Sequence, residues 1–175
     1  VIFDRDGTLN TENTRKENPE YTLQVEETAL LPGVKEALEL LYANNIRSFV
    51  FTQQSCIGKG ILTEEKLNKI HNHIQELLGP QGRIEAFYHC PHTAEENCSC
   101  RKPKPGMLNQ ILKEHNLSTE EVLVVGDYPR DHEAAKSANL RFMFVRNERG
   151  KISEDEYQAT GAPVFDSVYQ IVQAI

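Results

Sequence analysis

No apolar stretch in this sequence approaches the roughly 20 residues that a membrane-spanning helix needs, so no membrane partner is expected. Positive charge is not in surplus either. Lys and Arg number 19 against 26 Asp and Glu, a net charge of −7 spread without long runs of either sign. Proteins that hold nucleic acid need a basic surface to neutralise phosphates, so no nucleic-acid partner is expected. A small phosphorylated molecule stays compatible where basic residues gather locally. Internal repeats and low-complexity segments are also lacking. At 175 residues the chain has room for one well-packed domain and not for two, so 1–175 reads as a single domain, and a monomer is the expectation. Val1 already falls inside an apparent strand, so residues upstream of it are expected.

Cysteine is scarce and unevenly placed. Cys90, Cys98 and Cys100 lie within eleven positions while Cys56 stands apart, which argues for a metal site in a reducing, cytoplasmic setting and against a disulfide framework. What remains is ordinary: 39% apolar and 26% charged residues, the balance of a soluble folded protein.

Val1-Ile2-Phe3 is a short apolar run that opens into Asp4-Arg5-Asp6-Gly7-Thr8, as a buried strand opens into a turn. Residues 11–24 read as a polar surface loop. Val34, Ala37, Leu38 and Leu41 share one helical face, and Leu67, Ile70, Ile74, Leu77 and Leu78 share another in a helix closed by Gly79-Pro80. Strands are expected at 46–52, 84–89, 122–125 and 140–145, with further helices at 107–115, 134–138 and 168–175. This alternation predicts an α/β fold: a Rossmann-like parallel sheet with helices on both faces. Ligands of such sheets sit at the carboxyl ends of the strands. Asp4, Thr52 and Asp127 are each placed where a strand is expected to end, so they should converge.

Asp4 and Asp6 are two apart, and carboxylates this close repel unless a cation or shared proton separates them. A divalent metal is one economical reading; a turn whose Asp side chains cap backbone groups is the other. Cys90-Pro91-His92 followed by Cys98-Ser99-Cys100 offers three thiolates and one imidazole in a loop, at about 90–100, without a core of its own. That is the inventory of a closed, structural Cys₃His zinc (Zn²⁺) site. His71, His73 and His132 read as surface or half-buried residues. His89 reads as a strand-end histidine satisfied by backbone, and Cys56 as a loop thiol near the site and open to oxidation.

Taken in order, Asp-x-Asp-Gly-Thr at the first strand, Thr52 at the second, Lys102 in a later loop, and Gly126-Asp127 with Asp131 resemble the four motifs of the haloacid dehalogenase (HAD) superfamily of phosphatases. The resemblance implies a Mg²⁺-dependent phosphatase in which Asp4 attacks phosphorus and Asp6 serves as acid and then base. It also implies that Asp4, Asp127 and the backbone carbonyl of Asp6 hold Mg²⁺, that Lys102 supplies a cation and Thr52 a hydroxyl, and that Asp131 stands behind the metal ligands. Lys104 competes with Lys102, and the family pattern favours Lys102. A cationic group and hydrogen-bond donors are what attack on a phosphate dianion requires.

Only 47 residues separate Asp4 from Thr52 and 48 separate Thr52 from Arg101, which leaves no room for a cap domain. A capless chain with Cys-Pro-His and Cys-x-Cys-Arg-Lys-Pro is similar to the branch that contains the heptose 1,7-bisphosphate and histidinol-phosphate phosphatases. Thr52-Gln53-Gln54-Ser55 and Arg101-Lys102 then become substrate-binding candidates, with a sugar bisphosphate as the expected partner. Gln53 departs from the usual Thr-Asn-Gln-Ser of the heptose branch, and the loop between Asn10 and Tyr21 is long for it. Tyr128-Pro129-Arg130 matches neither group. A phosphate-binding module without turnover is the reading from another class; Asp4, Asp6, Lys102 and Asp127 are all retained, which argues against it.

Overall fold

The computed structural model describes residues 1–11, 21–146 and 152–175; the expected loop between Asn10 and Tyr21 lies largely outside them. Six strands form one parallel sheet in the order β3-β2-β1-β4-β5-β6. They are β1 (Ile2–Phe3), β2 (Phe49–Gln53), β3 (Ala86–Cys90), β4 (Leu123–Gly126), β5 (Arg141–Val145) and β6 (Val164–Phe165). The helices are α1 (Val34–Ala43), α2 (Glu64–Leu78), α3 (Gly106–His115), α4 (Pro129–Ser137), α5 (Glu154–Thr160) and α6 (Val168–Gln173).

Successive strand residues point to opposite faces, and both faces are apolar, so the sheet is buried twice over. Phe3, Val50, Val125 and Val145 face one layer, which contains Leu38 and Leu41 of α1, Leu67, Ile70 and Ile74 of α2, and Ile171 of α6. Ile2, Phe49, Phe51, Val124, Phe142 and Phe144 face the other, with Met107, Leu108 and Ile111 of α3, Ala134 and Ala135 of α4, and Tyr157 of α5. Burial of the larger of these side chains is worth about 1.5–3 kcal/mol each. The chain runs from β1 out to β2 and β3 on one side, then returns to β4, β5 and β6 on the other. That reversal leaves a crevice at the carboxyl ends of β1, β2 and β4. Nothing among the described residues forms a cap over it.

Three expectations need correction. The second strand begins at Phe49 and not at Ile46: Ile46 is exposed, and Arg47 turns outward to pair with Glu85 at 2.6 Å. α5 and β6 are additional to the expected elements: α5 starts at a Ser153–Glu156 capping box but buries only Tyr157, and β6 is two residues long. His71 is buried, because helical spacing puts it beside Leu67, Ile70 and Ile74 on the inner face of α2.

Candidate active site

β1 ends at Phe3, so Asp4 is the first residue beyond it; its backbone N–H still donates to Val125 O at 2.8 Å, which ties it to β4. The next residues turn sharply, with Gly7 at φ 84°, a backbone conformation that side chains disfavour. Asp127 directly follows β4. Gly126 is small for a reason: a Cβ there would lie 2.7 Å from Cβ of Asp131, so the glycine makes the space that Asp131 occupies. Carboxylate oxygens of Asp4, Asp127 and Asp131 all lie within 4.8 Å of one another, and all three residues are buried. Thr8 Oγ1 donates to Asp127 at 3.5 Å.

Lys102 enters this cluster from the loop after β3. Its ammonium lies 2.6 Å from Asp4 Oδ1, 2.7 Å from Asp131 Oδ1 and 3.5 Å from the centre of the Phe51 ring. The side chain is 1% exposed. Asp131 also accepts the backbone N–H of Tyr128 at 3.1 Å, capping the start of α4. Burial pushes the Asp4 carboxyl up to about 6 against the pull of Lys102, with the Asp131 and Asp6 charges adding to the rise. One lysine facing three buried carboxylates leaves the pocket with a negative surplus, and its donors are hard oxygens. Such a set fits a divalent cation of the Mg²⁺ type.

Asp6 stands differently. Arg5, fully buried, grips it with Nε and Nη2 at 2.7–3.2 Å, while Asn10 Nδ2, Thr22 Oγ1 and Gln54 Nε2 donate to it at 3.0, 3.0 and 2.9 Å. Burial alone would raise this carboxyl, but the charge and hydrogen bonds of Arg5 with those of Asn10 and Gln54 outweigh it and hold Asp6 below its ordinary value. Arg5 Nη1 in turn meets His71 Nε2 at 3.2 Å. Desolvation and the Arg5 charge drive His71 down to about 2, so its ring is neutral and accepts from the guanidinium. Arg5, Asn10, Thr22 and His71 were not marked by sequence motifs. Arg5 could have been, as a charge inside an otherwise buried strand end.

Thr52 is buried at the end of β2 and accepts from Gln54 Nε2 at 2.8 Å. Ser55 meets Tyr21 Oη at 3.1 Å, and Lys59 Nζ donates to the same oxygen at 2.8 Å. Assigned from its donors, with the amide oxygen turned toward Arg101, Gln53 accepts from Nη1 and Nη2 at 3.0 and 3.1 Å. Lys104 points away: its ammonium binds Asn97 O, Asn97 Oδ1 and Cys98 O at 3.2, 2.5 and 2.9 Å, closing the loop and not the crevice. His89 is satisfied by Glu64 at 2.9 Å, a side chain and not backbone. Cys56 is fully buried and desolvation lifts its thiol to about 11, so it is not the open, oxidisable group expected.

In the loop after β3, Cys100 Sγ is 3.2 Å from Cys90 and 3.4 Å from Cys98, and Cys90 is 3.6 Å from Cys98. His92 Nδ1 lies 3.2 Å from Cys100 and 3.7 Å from Cys90. Sulfurs held about 2.3 Å from a tetrahedral zinc stand about 3.8 Å apart, so the four atoms form a set of the right kind and nearly the right size. No disulfide joins them.

Residues 10–145 match the sequence profile of the haloacid dehalogenase-like hydrolases. The D-glycero-beta-D-manno-heptose-1,7-bisphosphate 7-phosphatase of Pseudomonas aeruginosa is 30% identical over 176 residues, covering 100% of this chain and 96% of its own. The enzyme of the same name from Neisseria meningitidis is 31% identical over 179 residues, covering 100% and 93%. A crystal structure of D,D-heptose 1,7-bisphosphate phosphatase from B. bronchiseptica, complexed with magnesium and phosphate, superposes with a TM-score of 0.85 at 28% identity, over 99% of this chain and 96% of that one.

Proposed function

The chain belongs to the haloacid dehalogenase-like hydrolases and is a phosphatase, and from that premise we propose that it removes the C7 phosphate of D-glycero-D-manno-heptose 1,7-bisphosphate. The observation that carries the substrate is the end-to-end likeness to relatives of that name, joined to a crevice in which half-buried Arg101 adjoins Lys102, itself buried against Asp4. Residues 1–175 act as one catalytic domain, taken as a monomer. The described residues include no helix long and apolar enough to cross a membrane. Thiols without a disulfide favour the cytoplasm.

In the proposed mechanism an oxygen of Asp4 attacks phosphorus as the bond to the sugar C7 oxygen breaks, giving an aspartyl-phosphate and an alcohol. Asp6 delivers the proton to that leaving oxygen, then takes one from water, whose oxygen attacks phosphorus and frees phosphate and Asp4. Lys102, 2.6 Å from Asp4, keeps the nucleophile ionised and offsets phosphoryl charge. Asp6 as found here is the base form; the Arg5 grip must loosen for it to carry a proton. Asp4, Asp127 and the Asp6 carbonyl would hold Mg²⁺, which when bound neutralises the phosphoryl oxygens. Asp131 places Lys102. Thr52, Gln54 and Ser55 line the phosphate side, and Arg101 meets the C1 phosphate. Cys90, His92, Cys98 and Cys100 would hold a structural Zn²⁺.

The test is kcat/KM for the heptose bisphosphate against histidinol phosphate, with the released phosphate assigned by NMR. One correctly placed charge-assisted hydrogen bond from Arg101 is worth about 1.5–3 kcal/mol, so a preference of about tenfold to a hundredfold for the bisphosphate is expected. Faster turnover of histidinol phosphate, whose ammonium would meet Arg101, would overturn the reading.

A further inference from the structure

Gln53 is the last residue of β2 and is half-buried, one residue after Thr52. With the amide assigned so that its oxygen faces the guanidinium, the only orientation that puts an acceptor against those donors, it receives both terminal nitrogens of Arg101, at 3.0 and 3.1 Å. Arg101 Nη1 also donates to the carbonyl of His92 at 3.2 Å. The guanidinium is therefore fixed from two sides, by the sheet and by the loop of the Cys/His cluster. Both acceptors are neutral carbonyl oxygens, so they orient Arg101 without cancelling its charge. A Glu at 53 would hold the same group and neutralise it; an Asn, one carbon–carbon bond of about 1.5 Å shorter, would fall short of it.

We propose that Gln53 is a positioning residue that aims Arg101 at the non-reacting phosphate of the substrate, and so sets the preference for bisphosphates over monophosphates. The inference rests on the substrate class proposed above. A free arginine side chain samples many rotamers, and binding an anion must then order it; a guanidinium already held gives up less of that freedom. The neighbouring Lys102 is fully engaged with Asp4 and Asp131, and Lys104 with the loop carbonyls, so Arg101 is the cation of the three that can turn a charged face outward. Gln53 thus acts through Arg101 and not by its own contact.

The experiment compares kcat/KM for the heptose 1,7-bisphosphate with that for the heptose 7-phosphate, which keeps the reacting phosphate and lacks the other, in the full chain with Mg²⁺. Gln53→Met preserves length and removes the acceptor; it is expected to lower the bisphosphate-to-monophosphate ratio several-fold, toward but not beyond the level of Arg101→Met, which should lose about tenfold or more. The double variant should fall no further than Arg101→Met alone, and the dependence of the bisphosphate KM on salt should flatten in the two variants that lack the Arg101 charge. Gln53→Glu serves where the Met variant does not fold: it keeps size and polarity, neutralises Arg101, and should lower the ratio at least as far. An unchanged ratio in Gln53→Met or Gln53→Glu, or losses that multiply in the double variant, would overturn the assignment. A parent enzyme with equal efficiency on the two substrates would instead overturn the bisphosphate reading, before any variant is compared.

Discussion

Two buried titratable groups act on stability in opposite directions. Asp4 is pushed up to about 6, so the folded state holds its proton more tightly than the unfolded chain, whose Asp titrates near 3.8. Its contribution is present in full below 3.8 and is lost as pH rises through about 6, worth about 3 kcal/mol in the absence of metal. Asp4→Asn keeps the volume and an acceptor for Lys102 and removes that loss. It should raise the denaturation midpoint of the metal-free protein at pH 7.5 while cutting phosphate release by about a thousandfold or more. Turnover within tenfold of the parent would exclude Asp4 as nucleophile. His71 runs the other way: with a folded value of about 2 against 6.5 unfolded, it stabilises above 6.5, and that is lost as pH falls toward 2. Between pH 7 and 5.5 the loss is about 1 kcal/mol. His71→Gln retains an acceptor for Arg5 Nη1 and should flatten this part of the acid profile, read as the difference between variant and parent so that the Asp4 effect cancels. An identical slope in both proteins would mean that His71 is not neutral in the fold.

Among the elements, those with a regular apolar period were legible: α1 and α2 bury the residues their spacing picks out, and β4 is four buried residues in a row. α5 was not, because Glu154–Thr160 is held by its capping residues and one tyrosine, and β6 exists only through its pairing with β5. The same division applies to the site. Asp4, Thr52 and Asp127 could be placed because polar residues at strand ends are a local signal. Arg5 to His71, separated by 66 positions, and Gln53 to Arg101 could not, since only the fold brings them together. α4 shows how a local rule and a distant contact meet. Its first turn is started by Pro129 and capped by Asp131, whose other oxygen faces Lys102. Gly126→Ala would drive a methyl group to within 2.7 Å of Asp131 Cβ, so the helix start or the lysine must give way. A stability loss of about 1–3 kcal/mol and a fall in kcat/KM of more than tenfold are expected from calorimetry and kinetics, and a fully active variant would show that Asp131 does not place Lys102.

For the whole molecule, the site is assembled at the carboxyl ends of β1, β2 and β4 and from the loop that leaves β3, and the loop is the piece with the least support from the core. Residues 91–105 contribute no fully buried hydrophobic side chain; they are held by the Cys90, His92, Cys98 and Cys100 cluster, by Lys104, and by the close approaches of Gly58 N to Pro91 O at 2.9 Å and Gly106 N to Ser99 O at 3.1 Å. Yet Arg101 and Lys102 follow Cys100 directly, and Lys102 reaches Asp4. A metal here would act on catalysis only by fixing those two cations, since four protein ligands leave no open coordination position. One tightly held zinc per chain is therefore expected by elemental analysis. Removing it, or Cys98→Ser, should lower Tm and depress turnover together, with Zn²⁺ but not Mg²⁺ restoring the stripped parent. The loop borders one apolar layer through Cys98 and Cys100, but the helices and strands are held by the rest of the two layers, so the far-ultraviolet circular dichroism should change little. Full activity in protein shown to carry no zinc would mean that Lys104 and the backbone contacts suffice to place Lys102, and that the cysteine cluster serves neither the site nor the fold.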